Sequence, residues 1–431
     1  MKICKRCLYP INHPFGLTFI GDICSGCYVH EEKYTIDWTK RQKDLSKLIN
    51  NIKLKSNRGY DCIIPITGSG DTYFTIDYVK NTLGLNPLLV HYNNHYNTDV
   101  GIRNISNIAN SFNCDLVTNI CSPSSLKKIS LAALEHNGNF YWQAIAGYLT
   151  FPVQTAVKYN IPLIIWGVNG WMDQVGMYFQ SDSVQMTKRC REEHGLHGLK
   201  PKDFLKLNPL IQNKDLTSFI YPSNSKIASL NLKGVYLNNY VFWDSKVQHE
   251  NMINKYKFET RKMERTFNNY EDAGCMFSNG ANDLLRYYKH GFSKVSDHVA
   301  RDIRLKRLTL ETGRDYILNY SNKIPTDIPI LCKWLEISES KFFKIINNHK
   351  NKNYFKNNSS ESEYLINLKK INLDDFNNYK LIKKDKDILY KVTDNREKTK
   401  NDKIFMIGRG YNDKYNYGAI EDQPMLNNIS I

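Results

Sequence analysis

Two stretches of the 431-residue chain carry residues whose types and spacing can do chemistry. The first is Cys4-x-x-Cys7, followed after sixteen residues by Cys24-x-x-Cys27. Each pair offers two thiolates to one ion, and four thiolates close a tetrahedral shell around Zn2+, the signature of a structural site. Gly21 and Gly26 supply the backbone freedom such knuckles need. A segment this short builds no core of its own, so a metal is the expected source of its stability. Unmetallated or redox-active pairs are the alternative. The other six of the ten cysteines (Cys62, Cys114, Cys121, Cys190, Cys275 and Cys332) are scattered, as buried thiols usually are.

The second stretch is Thr67-Gly68-Ser69-Gly70-Asp71-Thr72, which follows the apolar run "DCIIPI". A strand that stops at a turn rich in glycine and hydroxyls, and then enters a helix, can hold an anion on the helix's first amides. The hydroxyls of Thr67, Ser69 and Thr72 can add hydrogen bonds to phosphate oxygens. Asp71 would repel a phosphate unless a cation such as Mg2+ lay between them. The turn lacks the Gly-Lys-Ser/Thr ending of a Walker A loop and the three-glycine fingerprint of dinucleotide folds. The alternative is plain: Asp71 or Thr72 caps the helix and the glycines only make the turn.

The elements that must position these residues follow from periodicity. Apolar Leu45, Leu48, Ile49 and Ile52 share a face of a helix over 38–55. Beyond it the pattern alternates: strand "DCIIPI", helix 72–83, strand "NPLLVHYNN", helix "DVGIRNISNIANSF", strand "CDLVTNI", a helix "WQAIAGYLTFPVQTAVKYN" broken near Pro152, and strand "IPLIIWGVNG". Alternation of this kind predicts a doubly wound parallel α/β sheet, with ligands at the carboxyl ends of its strands. From 201 to about 350 the chain reads as mainly helical. After that it is rich in Lys and Asn, as a small extra module or a disordered extension would be. The expected organisation is therefore a four-cysteine segment at 1–35, an α/β domain at 36–200, a helical region at 201–350 and an extension at 351–431.

Composition narrows the class. No apolar run reaches the ~20 residues of a membrane span, and the first residues lack the apolar core of a secretory signal. A cytoplasmic protein without membrane insertion is expected. The net charge of +16 comes largely from lysines mixed with Asn and Ile. It favours anionic ligands in general. Nucleic acid is the lesser reading of it.

The turn resembles the PP-loop of ATP pyrophosphatases, usually Ser-Gly-Gly-x-Asp-Ser. Thr67 and Thr72 keep the hydroxyls and Asp71 keeps the acid, whereas Ser69 replaces a glycine and Gly70 stands where lysine is frequent. With the cysteine pairs, "CSGCYVHEEKYTIDW", "GYDCIIPITGSGDTYF", "GLNPLLVHYNN", "IPLIIWGVNG", "GVYLNNYVFWD" and "NDLLRYYKHGFSKVSDHVARDIRLKRLTLETG", the chain over roughly 1–350 resembles the N-acetyl sugar amidotransferases of bacterial surface-polysaccharide and nonulosonic-acid pathways. The resemblance implies a PP-loop fold and an ATP-dependent conversion of a sugar acetamido group to an acetamidino group. Ammonia would come from a separate glutaminase subunit. It implies that Thr67, Gly68, Ser69, Gly70, Asp71 and Thr72 hold pyrophosphate, with Asp71 and Thr72 catalytic and Asp71 on Mg2+. His91, Tyr92 and Asn93 would receive adenine and ribose, and Trp166 and Gly167 would edge the cleft. Val168 stands where an acid often follows Trp-Gly, with Asp173 as a possible substitute ligand. Arg304 and Arg307, from "ARDIRLKRL", share a helix face and would clamp pyrophosphate or a nucleotide sugar. The alternatives are a solvated basic face for these arginines, a tRNA-thiolating enzyme for the whole, or a degenerate nucleotide-binding scaffold.

Overall fold

The computed structural model describes residues 1–377 except 14–16, 18, 54–58, 177–179, 181–184, 187–189, 197, 275 and 357–358. Two short antiparallel strands, β1 (Phe19–Ile20) and β2 (Ile23–Cys24), form the hairpin between the cysteine pairs. Five parallel strands form the main sheet: β3 (Cys62–Ile66), β4 (Pro87–Asn93), β5 (Leu116–Ile120), β6 (Leu163–Trp166) and β7 (Lys233–Tyr236), in the order β5-β4-β3-β6-β7.

The side-chain alternation of a strand explains the layers. Ile64, Ile66, Leu89, Ile165 and Val235 point to one face, where they meet Leu45, Ile49, Tyr73, Ile76, Ile108 and Met252. Ile63, Leu88, Val90, Ile164 and Trp166 point to the other, against Leu149, Val153 and Ala156 of the Trp142–Tyr159 helix. Helices thus cover both faces, as a parallel sheet requires. The chain runs outward from β3 through β4 to β5, then returns to place β6 on β3's other side. That reversal opens a crevice at the carboxyl ends of β3 and β6, between the turns that follow Ile66 and Trp166.

Three sequence expectations change. The break at Pro152 does not occur: the helix runs unbroken over Trp142–Tyr159 with Pro152 buried inside it. A proline inside a helix loses one backbone bond and costs about 3 kcal/mol, a penalty outweighed here by a helix packed against the sheet along its length. β7 lies in the region read as helical; its four residues follow the short Asn224–Leu230 helix and pair with β6. The helix after the turn starts at Gly70 rather than Thr72 and passes at Asp77 into a wider turn over Tyr78–Thr82.

The region after Asn279 is helical, and its core joins the amino-terminal cysteines. Cys4, Cys7, Tyr9, Cys24 and Cys27 cluster with Leu284, Val295, Val299, Ile317, Phe342 and Leu368. Residues of the expected extension belong to this core: Tyr364 is fully buried and its hydroxyl donates to Leu8 O at 2.7 Å. The rest of that extension, 378–431, lies outside the described residues.

Candidate functional site

The four knuckle cysteines are fully buried and their sulfurs all lie within 4.8 Å of one another. Cys4 and Cys27 are 3.8 Å apart, Cys7 and Cys24 3.6 Å, Cys24 and Cys27 3.7 Å. Zn–S bonds of about 2.3 Å in a tetrahedron give S···S edges of about 3.8 Å. The donor set and its spacing therefore fit a closed zinc site held by Cys4, Cys7, Cys24 and Cys27.

Arg304 belongs to this cluster. It ends the Lys294–Arg304 helix and is buried, with Nη2 at 3.6 Å from Cys7 Sγ and 3.5 Å from Cys24 Sγ. Its Nη1 donates to Gln174 O at 2.8 Å. A zinc tetrathiolate carries net negative charge, and a buried guanidinium beside it offsets part of the cost of burial. Gly26 leaves the room for it: a β-carbon there would stand 2.8 Å from Arg304 Cζ. Arg307 pairs with Asp244 and lies 3.8 Å from Asp302. The two arginines read as one anion clamp are thus engaged by different partners, and neither lines the cavity described next.

A cavity of about 690 Å³ occupies the crevice at the strand ends. Thr67, Asp71 and Thr72 line it from the turn, Tyr92 from β4, and Trp166 and Gly167 from β6 and its loop. Its far wall comes from the helical region: Asn282, Arg286, Lys289 and Asp297. Of the expected residues, Thr67, Asp71, Thr72, Tyr92, Trp166 and Gly167 are therefore brought together, whereas Gly68, Ser69 and Gly70 belong to the same turn but do not line the cavity. His91 and Asn93 do not line it either: His91 Nδ1 is 3.1 Å from Ile66 O, and Asn93 Oδ1 accepts from His95 N at 2.9 Å and Asn97 Nδ2 at 3.0 Å. Both are spent on their own chain. Asp173 pairs with the buried ammonium of Lys33, which holds its carboxyl below the ordinary range.

The turn is a small hydroxyl network. Thr67 Oγ1 donates to Ser69 Oγ at 2.9 Å, Ser69 and Thr72 hydroxyls are 3.3 Å apart, and Thr67 N donates to Thr72 Oγ1 at 3.2 Å. Ser69 precedes the helix in extended conformation without capping it by side chain, so neither threonine nor serine is consumed as a helix cap. Thr72 N turns back to Ser69 O at 3.2 Å, while the Gly70 and Asp71 amides have no acceptor within the helix. The turn is locked from behind by three glycine backbones in contact. A β-carbon on Gly68 would stand 2.6 Å from Gly101 O, and one on Gly274 2.5 Å from Gly68 Cα. Asn104 Nδ2 donates to Gly68 O at 3.1 Å and to Glu259 O at 3.0 Å.

Sequence reading missed the residues that close over the turn. His249, from the Ser245–Tyr256 helix, is buried with its ring over Gly70; a β-carbon on Gly70 would lie 2.7 Å from its Cγ. Gly70 is therefore a packing requirement. His249 Nε2 is 3.6 Å from Asp71 Oδ1. Glu271 sits nearby, ion-paired with Arg301 and 3.2 Å from His298 Nε2. Burial, and secondarily Glu271, push the Asp71 carboxyl up, against the pull of Arg301 and, when its ring is protonated, of His249. On the far wall, Arg286 grips Asp297 through two bonds of 2.6 and 2.7 Å, and Tyr9 OH donates to Asp297 Oδ1 at 2.6 Å. Burial lowers the Lys289 ammonium to about 8, and it donates to Asn137 O at 2.7 Å. No spacing signal marks His249 or Glu271, because each lies far along the chain from the turn.

No helix of the described residues is long and apolar enough to cross a membrane. Residues 264–371, which include that far wall, match the family of "LPS biosynthesis protein WbpG-like, C-terminal domain". A stretch of 115 residues is 28% identical to an uncharacterized protein of Methanocaldococcus jannaschii, covering 26% of this chain and 41% of that protein. The chain thus spans about two fifths of that relative's length. The family match supports a role in surface-polysaccharide biosynthesis.

Proposed function

We propose that the chain is an ATP-dependent amidotransferase that converts the N-acetyl group of a sugar to an acetamidino group in surface-glycan biosynthesis. One observation carries the reading: a hydroxyl-glycine-aspartate turn at a strand's carboxyl end shares a cavity with a wall from the glycan-family segment. A nucleotide held on one side and a sugar on the other would meet in it.

An amide oxygen is a poor leaving group. Attack of that oxygen on the α-phosphorus of ATP forms an O–P bond and breaks the bond to pyrophosphate. The resulting O-adenylated imidate is electrophilic at carbon. Ammonia adds there, a proton is lost, and the C–O bond breaks to release AMP, leaving the amidine. A separate glutaminase subunit is the proposed ammonia source. The residues have positioning and electrostatic tasks in this scheme. The Gly70 and Asp71 amides and the hydroxyls of Thr67, Ser69 and Thr72 hold the departing pyrophosphate. Asp71 would hold Mg2+, whose chemistry is to neutralise charge on the phosphates. Tyr92 and Trp166 frame the nucleotide side, and Trp166 Nε1, buried without a partner, is a donor facing unfilled demand. Asn282 and Lys289 offer polar contacts to the sugar side.

The test is pyrophosphate release from ATP with ammonia and a panel of N-acetyl sugars, with mass spectrometry of the product. The expected product has one oxygen replaced by NH. Absence of pyrophosphate release with every sugar, together with absence of ATP binding, would overturn the reading.

A further inference from the structure

The contact between His249 and Asp71 has an unusual polarity. The Nδ1 of His249 meets the carbonyl oxygen of Ser245. A carbonyl only accepts, so Nδ1 carries the hydrogen, and in the neutral ring Nε2 presents its lone pair. That lone pair faces Asp71 Oδ1, itself an acceptor, across 3.6 Å. Both atoms are buried and neither has a hydrogen-bond partner. The gap exceeds a hydrogen bond. It lies within a small side-chain adjustment of two ligands of one ion: octahedral bonds of about 2.1 Å set adjacent ligands about 3.0 Å apart, and rotation of the Asp71 carboxylate by about 0.6 Å closes the 3.6 Å gap to that edge.

The ring is held for this. His249 is 1% exposed, and the rings of Tyr270 and Phe258 flank it with centroids 5.2 and 5.7 Å away. The space it fills is the one a side chain at position 70 would need. The other carboxylate oxygen of Asp71 leaves its side chain 30% exposed at the cavity, where further oxygen ligands can reach the ion.

We propose that His249 Nε2 and Asp71 Oδ1 form a divalent-cation site at the turn, completed by phosphate oxygens and water. The proposal depends on the function put forward above only for those phosphate ligands. An imidazole in the shell favours first-row transition ions such as Mn2+ over Mg2+, which prefers oxygen ligands in a strict octahedron. The site therefore takes Mn2+ in preference to Mg2+, and His249 is the reason.

Pulsed electron paramagnetic resonance of the full, zinc-loaded chain with Mn2+, alone and with inorganic pyrophosphate, tests this. The expected result is a histidine-nitrogen coupling to bound Mn2+ that changes isotope when the chain is grown with 15N-histidine and vanishes in His249→Gln. Mn2+ affinity in that variant should fall by on the order of tenfold or more, the loss that even an outer-sphere partner of a metal causes. Gly70→Ala, which drives the ring away while leaving His249 in the sequence, should give the same loss, so the test survives a variant that fails to fold. Nitrogen coupling that persists in His249→Gln would overturn the proposal. So would wild-type protein that binds Mn2+ without nitrogen coupling, or binds none, as a pair sharing only a proton would. The readout is metal coordination rather than turnover, so a failed amidotransferase assay with a positive spectrum condemns the proposed reaction and leaves the site standing.

Discussion

Gly101→Ala separates local preference from tertiary packing. Gly101 lies in the first turn of the Asp99–Phe112 helix, where its own amide bonds the capping hydroxyl of Thr98 at 2.9 Å. By helix propensity alone, alanine should be better than glycine by about 1 kcal/mol. Packing says the reverse. A β-carbon at Gly101 would fall within the carbonyl of Gly274 and only 2.8 Å from its Cα. These neighbours are backbone, which has no rotamer to escape into, so strands of chain must separate by on the order of 1 Å. Overpacking of this kind costs ~1–3 kcal/mol. The bonds from Thr98 Oγ1 to Ala273 O (2.7 Å) and from Thr98 N to Gly274 O (3.4 Å) would weaken with it, at ~1 kcal/mol each. The expected net loss is ~2–4 kcal/mol in denaturant titration of the zinc-loaded protein. Because Gly274 also backs the turn, pyrophosphate release should fall by ~100-fold or more, as a shift of 1 Å at a reacting centre does. Gly170→Ala is the control. Gly170 has φ −64° and ψ −30° with open space around its β-carbon position, so alanine there should be neutral or stabilising by up to ~1 kcal/mol. A Gly101→Ala protein as stable as wild type and within twofold in rate would refute the picture of a turn clamped by three glycines.

Metal analysis should find a single zinc ion per chain, lost together with cooperative unfolding when Cys24 is changed to Ser; a stable, metal-free wild-type chain would remove the zinc assignment. Asp71→Ala should depress pyrophosphate release by at least ~100-fold without changing zinc content, and a wild-type rate would free Asp71 of its role. The Asp327 carboxyl, which accepts from Gly280 N and Ala281 N, is pushed up to about 6 chiefly by burial. A carboxyl with a raised folded-state value binds its proton more tightly when folded. Its contribution therefore favours the folded state at low pH and is lost as pH rises from the ordinary carboxylate range through about 6. Asp327→Asn should narrow the difference in stability between pH 5 and pH 8, and an unchanged difference would count against the shift. Arg304→Met, matched in length but uncharged, should loosen zinc retention against a chelator while leaving nucleotide binding intact; loss of nucleotide binding alone would return Arg304 to the phosphate site.

The sheet and the knuckles were legible in the sequence because both are written in short-range code. A strand of five apolar residues ending in Thr-Gly-Ser-Gly and two Cys-x-x-Cys pairs need no distant partner to be recognised. β7 was missed because four residues, Lys233–Tyr236, are too few for alternation to stand out from the helices around them. Pro152 was misread because a local penalty gave way to packing along the Trp142–Tyr159 helix. The site suffered most. Arg304 and Arg307 looked alike on a helix face, and only the fold reveals that one meets sulfur and the other carboxylates. Gly70 looked like decay of a motif until His249 was seen in its space. Such pairings are set by topology, and nothing near residue 70 announces residue 249.

The joining of the first cysteines to Arg304 and Tyr364 carries a consequence for synthesis. The ribosome releases the knuckle about 280 residues before Arg304 exists. At 5–20 residues per second, the four thiols wait on the order of 15–60 s without their counter-charge or their apolar cover. During that interval they are exposed to air oxidation and to misplaced partners. An ion taken up early would keep the four sulfurs in register while the rest of the chain is made. The late helices would then close over a preassembled nucleus, and the timing of zinc delivery would set the yield of folded protein.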